Sequence, residues 1–136
     1  MARDDKDPLD ELIVDEAKEA DKAILAGLLK GHVELTKTGK INFTETFYEY
    51  ADWKKIMIYL LARKAISLKK LGADVKEATM PVEIGKAILV SGDTVSKRLA
   101  RELKGFAEKN QDGYFIPNYR LLKCRSKLEM KDKEEK

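Results

Sequence analysis

A chain of 136 residues has the length of one domain with appendages, enough to bury a core without disulfide or metal staples. Its one cysteine, Cys124, excludes an internal disulfide, and its richest apolar run, residues 56–62, stops at Arg63 and Lys64, well short of the roughly 20 apolar residues of a bilayer-spanning helix. The net charge of +3 conceals a division: residues 1–22 hold nine acids against four bases, while residues 54–127 hold seventeen Lys or Arg against seven Asp or Glu, a field that draws polyanions.

The chain starts charged rather than apolar, and with a lone cysteine this predicts a cytoplasmic protein. Charged residues make up 38% of the chain against a single glutamine, Gln111, a balance similar to that of thermophile proteins.

In chain order, Leu9, Ile13, Ala17, Ala20, Ile24 and Leu28 recur at steps of three and four. They predict an amphipathic helix over residues 8–31, with Asp7 as its cap before Pro8. Val33 and Leu35, then Ile41 and Phe43, alternate with polar residues around Gly39, the pattern of a short hairpin. Asp52 is placed to cap a long helix to about Leu71, apolar nearly all round in its first half and therefore central, with Gly72 as its stop. After a loop or short strand over residues 73–79, Pro81 opens a helix over residues 82–88. Ser91 is placed to cap a helix over residues 91–104 that Gly105 ends. A second hairpin then turns at Asp112-Gly113 between strands 106–109 and 114–116. Leu121, Leu122, Cys124 and Leu128 predict a short closing helix, and the charged run 131–136 a disordered tail. The expected fold class is mostly α with small β-hairpins. Its expected parts are an acidic helix and hairpin (1–52) packed on or extending a core domain (53–130), and the tail (131–136).

Long helix, short helix, tight connection, helix, glycine and hairpin is the order of a winged helix. Glu83-Ile84-Gly85-Lys86-Ala87, Val90-Ser91 and Thr94-Val95-Ser96, followed by Gly105-Phe106 and Asp112-Gly113-Tyr114, resemble the helix-turn-helix and wing of bacterial and archaeal regulators over residues 53–117. Gly85 stands where that superfamily usually has Ala, and Leu89 stands where it usually has a turn glycine with left-handed backbone. A longer turn, or flexibility supplied by Gly92, would accommodate Leu89. The resemblance implies a DNA-binding transcriptional regulator or chromatin-associated factor whose helix 91–104 enters a major groove, duplex DNA being favoured over RNA.

The wheel of that helix places Val95, Leu99 and Leu103 on a buried stripe and Lys97, Arg101 and Lys104 opposite, with Thr94 beside them and Arg98 on the flank. Thr94, Lys97, Arg98 and Arg101 are the candidate groove contacts, and Lys104 with Lys109, Asn110 and Gln111 of the wing the candidate backbone contacts, Glu108 and Asp112 opposing phosphate beside them. The other reading is a winged-helix adaptor that binds protein and not DNA, which a cationic face interrupted by Glu83, Glu102 or Glu108 would favour. The N-terminal helix is the candidate surface for a homodimer or a protein partner.

Chemistry of other kinds has little to draw on. One histidine, His32, and one cysteine make no metal set, and nothing in the local sequence brings His32 as a base to Ser91, Ser96, Ser126 or Cys124. The glycines stand singly, without a phosphate loop. The expectation is no enzyme, no cofactor, no metal and no membrane, with Phe47, Tyr50, Trp53, Tyr114, Phe115 and Tyr119 as core aromatics rather than base-stacking platforms.

Overall fold

A helix that is apolar on every side needs neighbours on every side, and residues 56–62 are buried without exception. The computed structural model of the chain describes residues 8–12, 21–72 and 75–129. The helix carrying the buried run, α2 (Asp52–Lys69), is contacted by α1 (Lys22–Leu29), β1 (Val33–Leu35), α3 (Pro81–Ile88), α4 (Gly92–Ala100) and β4 (Gly113–Phe115). The closing helix α5 (Leu121–Leu128) packs on α1. Two antiparallel hairpins complete a mostly helical fold: β1 with β2 (Ile41–Phe43), and β3 (Glu108–Asn110) with β4.

The first hairpin pairs Val33 with Phe43 and Leu35 with Ile41, the register that its apolar alternation predicts. In the second, Asn110 faces Gly113 across a two-residue turn of Gln111 and Asp112, so the glycine is the first strand residue rather than part of the turn. Thr79 joins this ladder by a single bridge, exchanging backbone hydrogen bonds of 3.0 and 2.8 Å with Tyr114. Gly113 has φ +132, and a Cβ there would stand 2.3 Å from the Thr79 carbonyl carbon, so only glycine lets the two chains approach.

Several boundaries depart from the sequence reading. The expected helix over residues 8–31 is not continuous: Pro8–Leu12 is a 3-10 turn, and α1 opens afresh at Asp21, whose carboxylate accepts the Ile24 N–H at 3.1 Å. The Asp7 cap lies outside the described residues, as do residues 13–20 and the tail 131–136. Leu25, Leu28 and Leu29 form the buried edge of α1, two of them absent from the expected stripe. Ala51 occupies the cap of α2 and Asp52 its first turn. The helix stops at Lys70, in left-handed backbone at φ 54, two residues before Gly72. The Leu71 N–H returns to the Ile66 carbonyl at 3.1 Å, the hydrogen bond that closes a Schellman turn. Gly72 serves a different contact: its N–H donates to the Lys37 carbonyl at 3.2 Å, tying the first hairpin's turn to the end of α2. In α5, Leu121 and Cys124 are buried, but Leu122, expected on the same stripe, is 54% exposed.

One polar cluster crosses the core. Lys64, in the last third of α2, is 2% exposed. Its ammonium lies 2.6 Å from a Glu77 carboxylate oxygen and donates to the Asn118 side-chain oxygen at 2.6 Å. A buried charge persists only with such partners. Beside it, Arg63 donates to the backbone carbonyls of Lys76 and Glu77, so the strand-like segment before α3 is held to α2 by two successive residues.

Candidate nucleic-acid interface

α3 and α4 are joined by a tight turn. Leu89 is left-handed, with φ 64 and ψ 45, and the Val90 N–H returns to the Gly85 carbonyl at 3.0 Å. The turn therefore has the backbone usually supplied by glycine, here carried by leucine, and Gly92 supplies no such flexibility because it is the first residue of α4. Gly85 is required by the same geometry: a Cβ there would lie 2.3 Å from the Val90 carbonyl oxygen. Ser91 caps α4, its Oγ accepting the Thr94 N–H at 3.1 Å and donating to the Thr94 hydroxyl at 2.9 Å.

Val95, Leu99 and Leu103 are buried along one side, as their spacing predicts. α4 ends at Ala100 and not at residue 104, because Arg101 (φ −114, ψ −83) leaves helical backbone and the Leu103 N–H turns back to the Arg98 carbonyl. Arg101 and Lys104 thus stand on the connection to the β3–β4 hairpin, not on the helix. Lys97, Arg101 and Lys104 are exposed, and among the described residues they take part in no ion pair. Arg98 differs: it is half-buried and its guanidinium meets the Glu102 carboxylate at 2.7 Å, which neutralises it locally. The expected contact set therefore loses Arg98 as a free cation, and Thr94 is engaged in the cap.

In the β3–β4 hairpin, Lys109 and Gln111 are exposed, and the Lys109 ammonium sits 5.7 Å from the centre of the Tyr114 ring across the strand pair. The Asn110 side-chain oxygen accepts the Asp112 N–H at 2.7 Å and so shapes the turn. The two acids expected to repel phosphate each have a cation beside them: Asp112 meets Lys76 at 3.2 Å, and Glu108 meets Arg120 at 2.9 Å and accepts from the Tyr119 hydroxyl at 2.7 Å. Lys86, exposed on α3 one turn before Leu89, lies beside this turn with Leu89 and Ser91 and was not among the sequence candidates, which came only from residues 91–104 and the second hairpin. Exposed Met80, Val82 and Leu89 lie on α3 and its ends, with Val82 and Leu89 lining a shallow groove beside Gly92.

The remaining reactive groups stand apart from this face. The His32 ring nitrogen Nδ1 is 2.9 Å from the Tyr50 hydroxyl, and burial, with the charge of Lys54 second, lowers its pKa from 6.5. Burial pushes the Cys124 thiol up to about 12, against the opposing charges of Lys123, Lys64 and Arg120. Among the described residues no three His, Cys, Asp or Glu converge on a metal position, and no helix is long and apolar enough to cross a membrane. Phe47 and Trp53 are core residues, whereas Tyr50, Tyr114, Phe115 and Tyr119 are half-buried at its margins. Compared with protein-family models, curated proteins and solved structures, the chain matches none.

Proposed function

We propose that this chain is a winged helix-turn-helix protein that binds nucleic acid, duplex DNA before RNA, as a transcriptional regulator or chromatin-associated factor. The observation that carries the reading is the join of α3 to α4: a left-handed turn at Leu89 and a Ser91 cap present a helix whose buried stripe faces the core while Lys97, Arg101 and Lys104 stand exposed and unpaired among the described residues. Exposed Lys86 on α3 and Lys109 on β3 add two further cations, and Asp112 and Glu108 are each paired with a cation. Such cations bind phosphates and release counterions, which makes binding steeply salt-dependent. The test is fluorescence anisotropy of a labelled random duplex at low and moderate salt, with Lys97→Glu, Arg101→Glu as the comparison and circular dichroism to verify folding. Salt-sensitive binding lost in the double variant supports the reading, and equal binding by both proteins, or by neither, overturns it.

A second reading rests on the Arg98–Glu102 pair and the exposed Met80, Val82 and Leu89, which interrupt the cationic face with neutral and apolar surface. Under it the winged helix is a protein-interaction adaptor, and the same assay returns no duplex binding.

A further inference from the structure

Between α1, β1 and the last turns of α2 runs an apolar groove of about 410 Å³. Leu25 and Leu29 line one side, Leu68 the other, and Lys22, Lys30 and Lys69 stand around the rim. All three lysines are exposed, and among the described residues none is in an ion pair. An apolar floor inside a cationic rim fits an acidic segment with apolar residues along one edge.

The chain carries such a segment. Pro8–Leu12 is a 3-10 turn of sequence PLDEL, and residues three apart in a 3-10 helix eclipse one another, so Leu9 and Leu12 share an edge. They are 63% and 77% exposed, so each copy leaves its own groove unfilled by these leucines. Two acids, Asp10 and Glu11, lie between them in a region, residues 1–22, that holds nine acids against four bases. The sizes agree as well: five residues of 3-10 helix are about 10 Å long, and Lys22 and Lys30 are about 12 Å apart along the axis of α1 at its rise per residue.

We propose that this groove receives the Pro8–Leu12 segment of a second copy of the chain, each copy giving its segment and offering its groove. Reciprocal exchange closes on a two-fold axis and buries both pairs of leucines. The acidic sequence of the segment complements the lysine rim of the other copy.

Sedimentation across a wide range of concentration tests this on the full chain, using two charge reversals. One carries Lys22→Glu with Lys69→Glu, the other Asp10→Lys with Glu11→Lys. The unaltered chain is expected to dimerise, and each variant alone to associate at least about tenfold more weakly because like charges then face each other. An equimolar mixture of the two variants is expected to recover the dimer, since both contacts of the mixed pair again join opposite charges. A chain that stays monomeric at every concentration, variants that dimerise alone, or a mixture that fails to recover each overturns the proposal. None of these substitutions touches α4, so duplex binding is read separately on the same proteins.

Discussion

The α-carbon of Gly85 lies directly beneath the carbonyl of Val90, so close that a methyl group on it would stand 2.3 Å from the oxygen. The Schellman turn at Leu89 produces this approach, because it folds the chain back over the last turn of α3. Gly85→Ala is therefore expected to destabilise the protein by about 1–3 kcal/mol, the range of an overpacked core position, although alanine is the better helix former. Urea denaturation measures it, and an unchanged midpoint means that the turn has a wider geometry.

Leu89 predicts the opposite sign. Left-handed backbone costs an ordinary residue about 1–2 kcal/mol, and its side chain is 76% exposed, so little packing is lost on removing it. Glycine loses roughly 0.5–1 kcal/mol of that advantage through the freedom of its unfolded chain. Leu89→Gly is expected to stabilise by about 0.5–1 kcal/mol, and Leu89→Val, branched at Cβ, to destabilise. A lower melting temperature for the glycine variant contradicts the assigned turn.

His32 gives a pH dependence. Burial, then Lys54, hold its pKa below the ordinary 6.5, so the unfolded chain takes up a proton that the folded chain resists. Its contribution is complete above that value and is lost as the pH falls below it, since the unfolded state then binds more protons. His32→Gln is expected to flatten the decline in stability just below pH 6.5 without altering the neutral side, as read from urea midpoints against pH.

Cys124 is fully buried, and its thiol is pushed up to about 12, so almost no thiolate exists near neutral pH. An aromatic disulfide reagent is expected to leave it untouched in the native protein and to modify it only as fast as the chain opens. Prompt modification under native conditions means that α5 lifts from the core.

For the proposed interface, Lys86, Lys97, Arg101, Lys104 and Lys109 correspond to a log–log salt slope of roughly −4 to −5 if each meets a phosphate. Lys97→Ala or Arg101→Ala is expected to reduce that slope by about 1. Arg98→Ala leaves the slope unchanged and lowers stability instead, because it strands Glu102. A slope change for Arg98 equal to that for Lys97 shows that the ion pair opens on binding.

Local signals carried much of the architecture. The buried α2, the Pro81 start of α3, the Ser91 cap, the stripe of Val95, Leu99 and Leu103, and both hairpins follow from period, caps and turn residues. What sequence hid was set by contacts across the chain. Lys70, not Gly72, ends α2, since Gly72 is needed against the first hairpin. Arg101 breaks the periodic pattern of α4 without a glycine or proline to mark it. The candidate face was legible as a set of cations, but the pairing of Arg98 with Glu102, and of Asp112 and Glu108 with Lys76 and Arg120, depends on distances that spacing alone does not give.

The ammonium of Lys64 is a latch shared by two segments. It joins α2 at once to the segment leading into α3, through Glu77, and to the segment that follows the β3–β4 hairpin, through Asn118. Loss of the Glu77 side leaves the Lys64 charge without its counterion inside the protein, and loss of the Asn118 side leaves the buried ammonium one acceptor short. The helix pair and the hairpin consequently open together or not at all, and amide hydrogens on both sides of Lys64 should exchange with one shared rate, as parts of one cooperative unit.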